Sequence, residues 1–218
     1  MDLEYLGWDV FFEEHFQPHR LAGLLPARVA VENSSLYSLC EDGSFRARCS
    51  GRFLHRVSDP AEMPAVGDWV ACTRRPESDQ ADIQVVLPRR TRFSRSAAGP
   101  VTYEQVVAAN VDTLFLVSGL DHNYNLRRIE RYLAVAKESG ADPVIILNKT
   151  DLCLETEKRL AEVRTIAGGV PVVAVSAATG SAVDEVKLLI RPGKTVALLG
   201  SSGVGKSTLV NQLLGRKI

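Results

Sequence analysis

The chain has 218 residues, 45% of them hydrophobic and 24% charged. That is enough for one large or two small domains with their own cores, and it excludes disordered and collagen-like classes. No run approaches the roughly 18 consecutive apolar residues of a spanning helix, and the start at Asp2 and Glu4 is acidic where a secretory signal is basic, so a cytoplasmic protein without membrane attachment is expected. Lys plus Arg and Asp plus Glu both number 26, so net charge predicts no attraction to nucleic acid.

The distribution of charge says more. Residues 1–19 carry Asp2, Glu4, Asp9, Glu13 and Glu14 with no Lys or Arg, whereas Arg20 to Arg95 holds twelve Arg, no Lys and nine carboxylates. Arg forks onto phosphate and stacks on bases better than Lys, so an RNA-facing surface competes here with ordinary solvation. Cys40, Cys49, Cys72 and Cys153 form no C-x-x-C pair and read as reduced thiols rather than disulfides or a zinc site. His15, His19, His55 and His122 are singletons, read as surface or capping residues.

Residues 1–25 form an aromatic-acidic lead-in, whose Leu6, Trp8, Val10, Phe11, Phe12 and Phe16 are too apolar for a free tail and call for a docking surface. Residues 26–95 then alternate in short segments: Ala27 to Glu32, Leu36 to Cys40, Phe45 to Cys49, Trp69 to Thr73 and Ile83 to Leu87. Period-two alternation with turn punctuation predicts strands. Glu41-Asp42-Gly43-Ser44 makes the turn between the second and third, because Asp-Gly accepts positive φ. In the third strand Phe45, Ala47 and Cys49 fall on one face and Arg46 and Arg48 on the other, with Arg52 following. Five short strands predict a small all-β barrel of the OB type, a fold that often binds oligonucleotides, with an SH3-like barrel giving a similar pattern. Arg46, Arg48 and Arg52 are the candidate RNA contacts.

Residues 96–110 read as a connector, following Arg89, Arg90, Arg92 and Arg95 and including the small-residue stretch Ala97-Ala98-Gly99-Pro100. From 111 to 218 the rhythm becomes α/β. Apolar strands at Thr113 to Val117, Val144 to Leu147, Val172 to Val175 and Thr195 to Leu199 alternate with helices at Leu126 to Glu138, Glu155 to Ile166, Ala182 to Ile190 and Gly205 to Leu214. Unbroken Val/Ile/Leu runs between helices predict a parallel sheet covered on both faces.

Two motifs carry chemistry. Gly200-Ser201-Ser202-Gly203-Val204-Gly205-Lys206-Ser207 fits G-x-x-x-x-G-K-[ST] at every fixed position and lies between a strand and a helix, as a P-loop must. Its glycines let backbone N–H groups close on phosphate oxygens, Lys206 neutralises β/γ charge, Ser207 would ligate Mg²⁺, and Thr208 sits where it could meet the α-phosphate. Asn148-Lys149-Thr150-Asp151 follows the second α/β strand, at the carboxyl edge where parallel sheets bind nucleotides. The Asp151 carboxylate can accept from guanine N1–H and the exocyclic amine, a donor pair adenine lacks. The Lys149 stem can lie along the base, Asn148 can tie this loop to the P-loop, and the Ser176-Ala177 backbone can meet guanine O6.

Here base recognition precedes phosphate recognition, the reverse of the order in ordinary small GTPases. With this order, the leading barrel, the opening Leu6-Gly7-Trp8-Asp9, the segment from Glu104 to Asp112, Asn125-Leu126-Arg127-Arg128-Ile129 and the P-loop, the chain resembles the RsgA/YjeQ family of circularly permuted GTPases. Permuted GTPases of the large-subunit class lack such a barrel. The resemblance implies GTP or GDP with Mg²⁺, 16S rRNA bound through the OB-fold, and GTP hydrolysis in late maturation of the small (30S) ribosomal subunit by a monomer. The alternative is an rRNA-binding module whose partial G domain binds nucleotide weakly and hydrolyses nothing.

The resemblance also implies switch segments and a zinc-binding domain. The chain ends at Ile218, eleven residues beyond Ser207, so a truncated product is expected, without hydrolysis, a water-positioning residue or the zinc ligands. The strand from Thr195 to Leu199 would then be an unpaired edge that lowers solubility or drives self-association. Gly203 stands where potassium-activated GTPases place Asn, which gives no indication of potassium stimulation. Asp121 and His122, after the first α/β strand, lie on the nucleotide edge.

Overall fold

The computed structural model describes residues 3–41, 43–76, 78–97 and 103–216. Asp42 of the expected turn and residues 98–102 lie outside them. The chain separates into two compact units, Met1–Val111 and Asp112–Ile218.

In the first unit, β1 (Leu25–Asn33), β2 (Leu36–Glu41), β3 (Gly43–Cys49), β4 (Trp69–Arg74) and β5 (Gln80–Val86) close a barrel in the order β1-β2-β3-β5-β4. β3 and β5 run parallel, every other pair is antiparallel, and β1 meets β4 to close the ring. This is the OB-type arrangement, with a short helix, Gly51–Arg56, between β3 and β4. Inward residues Val29, Tyr37, Leu39, Phe45, Val70 and Ile83 fill the barrel.

The lead-in folds on the barrel. After a 3-10 turn at Leu3–Leu6, helix α1 (Val10–Leu21) starts where the Asp9 carboxylate accepts the Phe11 N–H. Phe12 and Phe16 lie four residues apart on one stripe of α1, Trp8 just precedes its cap, and together they pack onto Trp69, Ala71 and Leu87. The Trp8 and Trp69 rings meet edge to face at 4.7 Å. β4 is therefore covered twice, with Val70 and Cys72 inside the barrel and Trp69 and Ala71 under α1, which is why its first four residues are all buried.

The structure gives regular pairing where a connector is expected. β6 (Arg92–Ala97) and β7 (Tyr103–Ala109) form an antiparallel two-stranded sheet. A buried node ties this stretch to the barrel. Asp68, 0% exposed, accepts two hydrogen bonds from Arg89 at 2.8 and 2.7 Å and one from the Ala65 N–H at 2.8 Å. Arg89 also donates to the carbonyls of Ala61 and Met63, and Asn110 joins the Arg90 N–H to the Gly67 carbonyl. Gly67 is required here: its φ is +92° and a Cβ would stand 2.1 Å from the Ala109 carbonyl oxygen.

In the second unit, β8 (Thr113–Gly119), β9 (Asp142–Asn148), β10 (Val172–Ala174) and β11 (Val196–Leu199) form an all-parallel sheet in the order β10-β9-β8-β11. Among the described residues β11 pairs with β8 alone and sits at an edge. The helix between β3 and β4 being α2 in chain order, those of this unit are α3 (Leu126–Ser139), α4 (Thr156–Ala167), α5 (Val183–Lys187) and α6 (Lys206–Leu213). Asn125 caps α3 by accepting the Arg128 N–H, and Gly140 ends it at φ +79°. All four strands deliver the loops that follow them to one edge of the sheet, where ligands of open parallel sheets bind.

Candidate functional site

The P-loop runs from the end of β11 into α6, and its glycines are needed for different reasons. At Gly200 a Cβ would lie 2.5 Å from the Val117 carbonyl oxygen, so the loop leaves the sheet too close to β8 for any side chain. Gly203, at φ +77°, has open space around it and needs only the backbone conformation. Gly205, at φ +93°, needs both, because a Cβ would stand 2.3 Å from Asn148 Nδ2. Lys206 Nζ donates to the carbonyls of Gly200 and Ser201 at 2.7 and 2.9 Å, which folds its ammonium into the loop. Val204 is buried beneath, while Ser202, Gly203 and Ser207 face solvent.

Asn148, the last residue of β9, holds the site together. It is 2% exposed; Nδ2 donates to the Val204 carbonyl at 2.9 Å and Oδ1 accepts the Ala177 N–H at 2.9 Å. One side chain thus joins the P-loop, the Asn148-to-Asp151 loop and the Ser176-Ala177 loop. The Thr150 N–H donates to the Val175 carbonyl at 3.1 Å, a second tie between these two loops. Ser176 Oγ donates to Asp151 Oδ1 at 2.5 Å and accepts the Thr179 N–H at 3.2 Å. This fixes the exposed Asp151 carboxylate at the mouth of the site.

Two further residues, Asp121 and Arg128, belong to this constellation. Lys149, with a left-handed φ of 69°, puts Nζ 2.6 Å from Asp121 Oδ2. Arg128, in the first turn of α3, donates to Ser201 Oγ at 2.9 Å. Neither contact has a sequence signature beyond the position of these residues on the nucleotide edge.

The candidate RNA contacts lie in the first unit. Arg46 and Arg48 project from the exposed face of β3, opposite the buried Phe45 and Ala47, and Arg52 is exposed on the helix that follows. The remaining arginines of the Arg-rich stretch are not one open surface. Arg89 is in the buried Asp68 node, Arg75 pairs with Asp82, Arg20 with Glu13, Arg90 with Asp9, and Arg74 lies over the Phe45 ring at 3.9 Å. All four cysteines are free. Burial pushes the Cys49 and Cys72 thiols up to about 11 and about 12.

Residues 86–218 match the sequence profile of the RsgA GTPase family. The chain belongs to that family. Among its relatives, the small ribosomal subunit biogenesis GTPase RsgA of Opitutus terrae is 52% identical, across 100% of this chain and 62% of its own length. The protein of the same name from Syntrophotalea carbinolica is 44% identical, across 98% of this chain and 60% of its own length. This chain therefore spans about three-fifths of the curated relatives it matches. The crystal structure of YjeQ from Thermotoga maritima superposes with a TM-score of 0.70 at 26% identity, covering 87% of this chain and 65% of that one. YloQ, described as a circularly permuted GTPase, gives 0.64 at 19% identity over 86% of this chain and 63% of its own, a likeness of fold. The resemblance carried by the motif order is thus a true membership, and the barrel and parallel sheet are the expected fold.

Proposed function

We propose that this chain carries the guanine-nucleotide site and the RNA-binding barrel of a GTPase acting in late maturation of the small ribosomal subunit. The observation that supports this best is the Asn148 bridge, which gathers the phosphate loop and both base-reading loops into one site with Asp151 held by Ser176. The relatives are named as GTPases of small-subunit biogenesis, which favours this reading over an RNA-binding module with an idle nucleotide domain.

The residues suit a nucleotide diphosphate or triphosphate. The positive-φ glycines 203 and 205 shape a backbone concavity in front of α6, and the free N–H groups of a helix start favour phosphate there. Lys206, resting on the Gly200 and Ser201 carbonyls, is within its own reach of the loop interior and exchanges those contacts for β/γ oxygens. Asp151 accepts the guanine N1–H and amine, the Lys149 stem and Thr150 border the base, and the Ala177 region meets O6. Gly200, Ser201, Ser202, Gly203, Val204, Gly205, Lys206, Ser207 and Thr208 line the phosphate side. Ser207, exposed at the start of α6, offers its hydroxyl to a Mg²⁺ that would take its other ligands from phosphate and water. Bound there, Mg²⁺ supplies charge neutralisation at the β and γ oxygens. No group of three His, Cys, Asp or Glu side chains able to hold a metal converges among the described residues.

On the barrel, Arg46, Arg48 and Arg52 would contact 16S rRNA phosphates. No helix among the described residues is long and apolar enough to cross a membrane, and we place the monomeric protein in the cytoplasm with the ribosome. Sedimentation of this chain with purified small subunits tests the assignment. Binding that falls as salt rises and is weakened by Arg46→Glu with Arg48→Glu is expected; indifference to both would overturn the RNA role.

A further inference from the structure

We infer that Asp121 is a positioning residue of the nucleotide site, acting through Lys149 to hold the wall against which the base lies. The inference rests on the reading of this edge as a guanine-nucleotide site and adds a residue to it.

Three observations converge. The Asp121 carboxylate is engaged at both oxygens: Oδ1 accepts the Asn123 N–H at 3.0 Å, closing a turn in the loop after β8, and Oδ2 accepts from Lys149 Nζ at 2.6 Å. Its side chain is only 9% exposed, so the pair is shielded on the acid's side, and the Lys149 ammonium keeps the carboxyl below its ordinary value near 3.8. Lys149 itself occupies the left-handed region at φ 69°, a conformation that costs a non-glycine residue free energy and persists where the surroundings impose it. Finally, Gly119 lies beneath the pair. A Cβ there would stand 2.8 Å from Asp121 Oδ1 and 3.6 Å from Lys149 Cδ, so the missing side chain is the space in which carboxylate and lysine stem meet.

A lysine in solution has several rotamers and loses them when it lines a slot. Pinned at its backbone by the turn and at its ammonium by Asp121, Lys149 presents its methylene stem in one place before any nucleotide arrives. Preorganisation of this kind raises affinity for whatever lies against the stem, which is the base. It does nothing for the phosphates, whose loop is held by Asn148 and Lys206. The two halves of the ligand therefore respond differently when the carboxylate is removed.

The test uses mant-GDP with Mg²⁺ as the direct probe and inorganic pyrophosphate as competitor, on the wild type, Asp121→Asn, Asp121→Glu, Lys149→Met and the Asp121→Asn/Lys149→Met double variant. Loss of a charge-assisted hydrogen bond is expected to weaken mant-GDP by about tenfold in Asp121→Asn. Pyrophosphate affinity should stay within about twofold, and Asp121→Glu should recover part of the loss. In the Lys149→Met background Asp121→Asn should cost nothing further, since the partner through which it acts is gone. Equal loss of mant-GDP and pyrophosphate, an undiminished effect in that background, or unchanged mant-GDP affinity would each overturn the inference. A wild type that binds pyrophosphate but no mant-GDP would instead overturn the guanine-nucleotide reading, and this inference with it.

Discussion

Replacing Asn148 with alanine removes one side chain and breaks two buried hydrogen bonds between three loops. The Val204 carbonyl and the Ala177 N–H, each 2.9 Å from the amide, would be left without partners in a region where Val204, Ala177 and Asn148 are all buried. A buried polar group stranded in this way costs about 1–3 kcal/mol, so the pair amounts to about 2–6 kcal/mol unless water enters. With a urea dependence of about 2 kcal/mol per molar, the unfolding midpoint of the second unit should fall by about 1–3 M. Both tryptophans, Trp8 and Trp69, lie in the first unit, so fluorescence is blind to this change. Hydrogen exchange is the suitable assay, with the Ala177 amide as reporter. The variant should lose protection there and around Val204, and its GDP affinity should drop with it. A midpoint within about 0.3 M of wild type, with Ala177 still protected, would refute the claim that Asn148 clamps the loops.

Gly205→Ala combines a left-handed backbone with a Cβ 2.3 Å from an amide nitrogen that is bonded and cannot retreat, whereas Gly203→Ala meets only the backbone cost. The first should therefore be less stable than the second by at least about 1 kcal/mol in urea melts and should lose nucleotide binding, and equal effects would contradict the packing described. Phe16→Ala empties a fully buried site between α1 and β4 and should cost the first unit about 3–5 kcal/mol, with red-shifted emission from Trp8 and Trp69; an unchanged midpoint would show that α1 is not docked. Arg46→Glu with Arg48→Glu should reduce the salt dependence of RNA affinity by about two phosphate contacts, and an unaltered slope would move the RNA surface elsewhere.

The α/β half was legible because each signal agreed with the others. Buried strands read as apolar runs, each was followed by an amphipathic segment, and Gly-rich or Asn-Lys-x-Asp loops fell between them. The barrel strands were legible from alternation, Arg46 and Arg48 against Phe45 and Ala47 most clearly. What escaped was local structure set by tertiary partners. α1 contains Pro18 and three phenylalanines, which obscure a helix, although Phe12 and Phe16 at four-residue spacing behind an Asp9 cap did carry the period. β6 and β7 escaped because both are short and of mixed composition, with Arg92 and Arg95 in β6. Arg89 looked like solvent-facing charge because its partner Asp68 is twenty-one residues away and nothing in either residue announces the pair. The tie from Asn148 to the P-loop was predictable from chemistry, whereas the Asp121–Lys149 and Arg128–Ser201 contacts required the sheet to bring the loops together.

The central claim is that base and phosphate loops assemble into one guanine-selective site, and nucleotide discrimination tests it most directly. Fluorescent GDP and ADP analogues titrated with Mg²⁺ against this chain and its Asp151→Asn variant should show GDP bound at least about a hundredfold more tightly than ADP, with the preference lost in the variant. Equal affinities for the two nucleotides, or a preference for GDP that survives the loss of the Asp151 carboxylate, would contradict it.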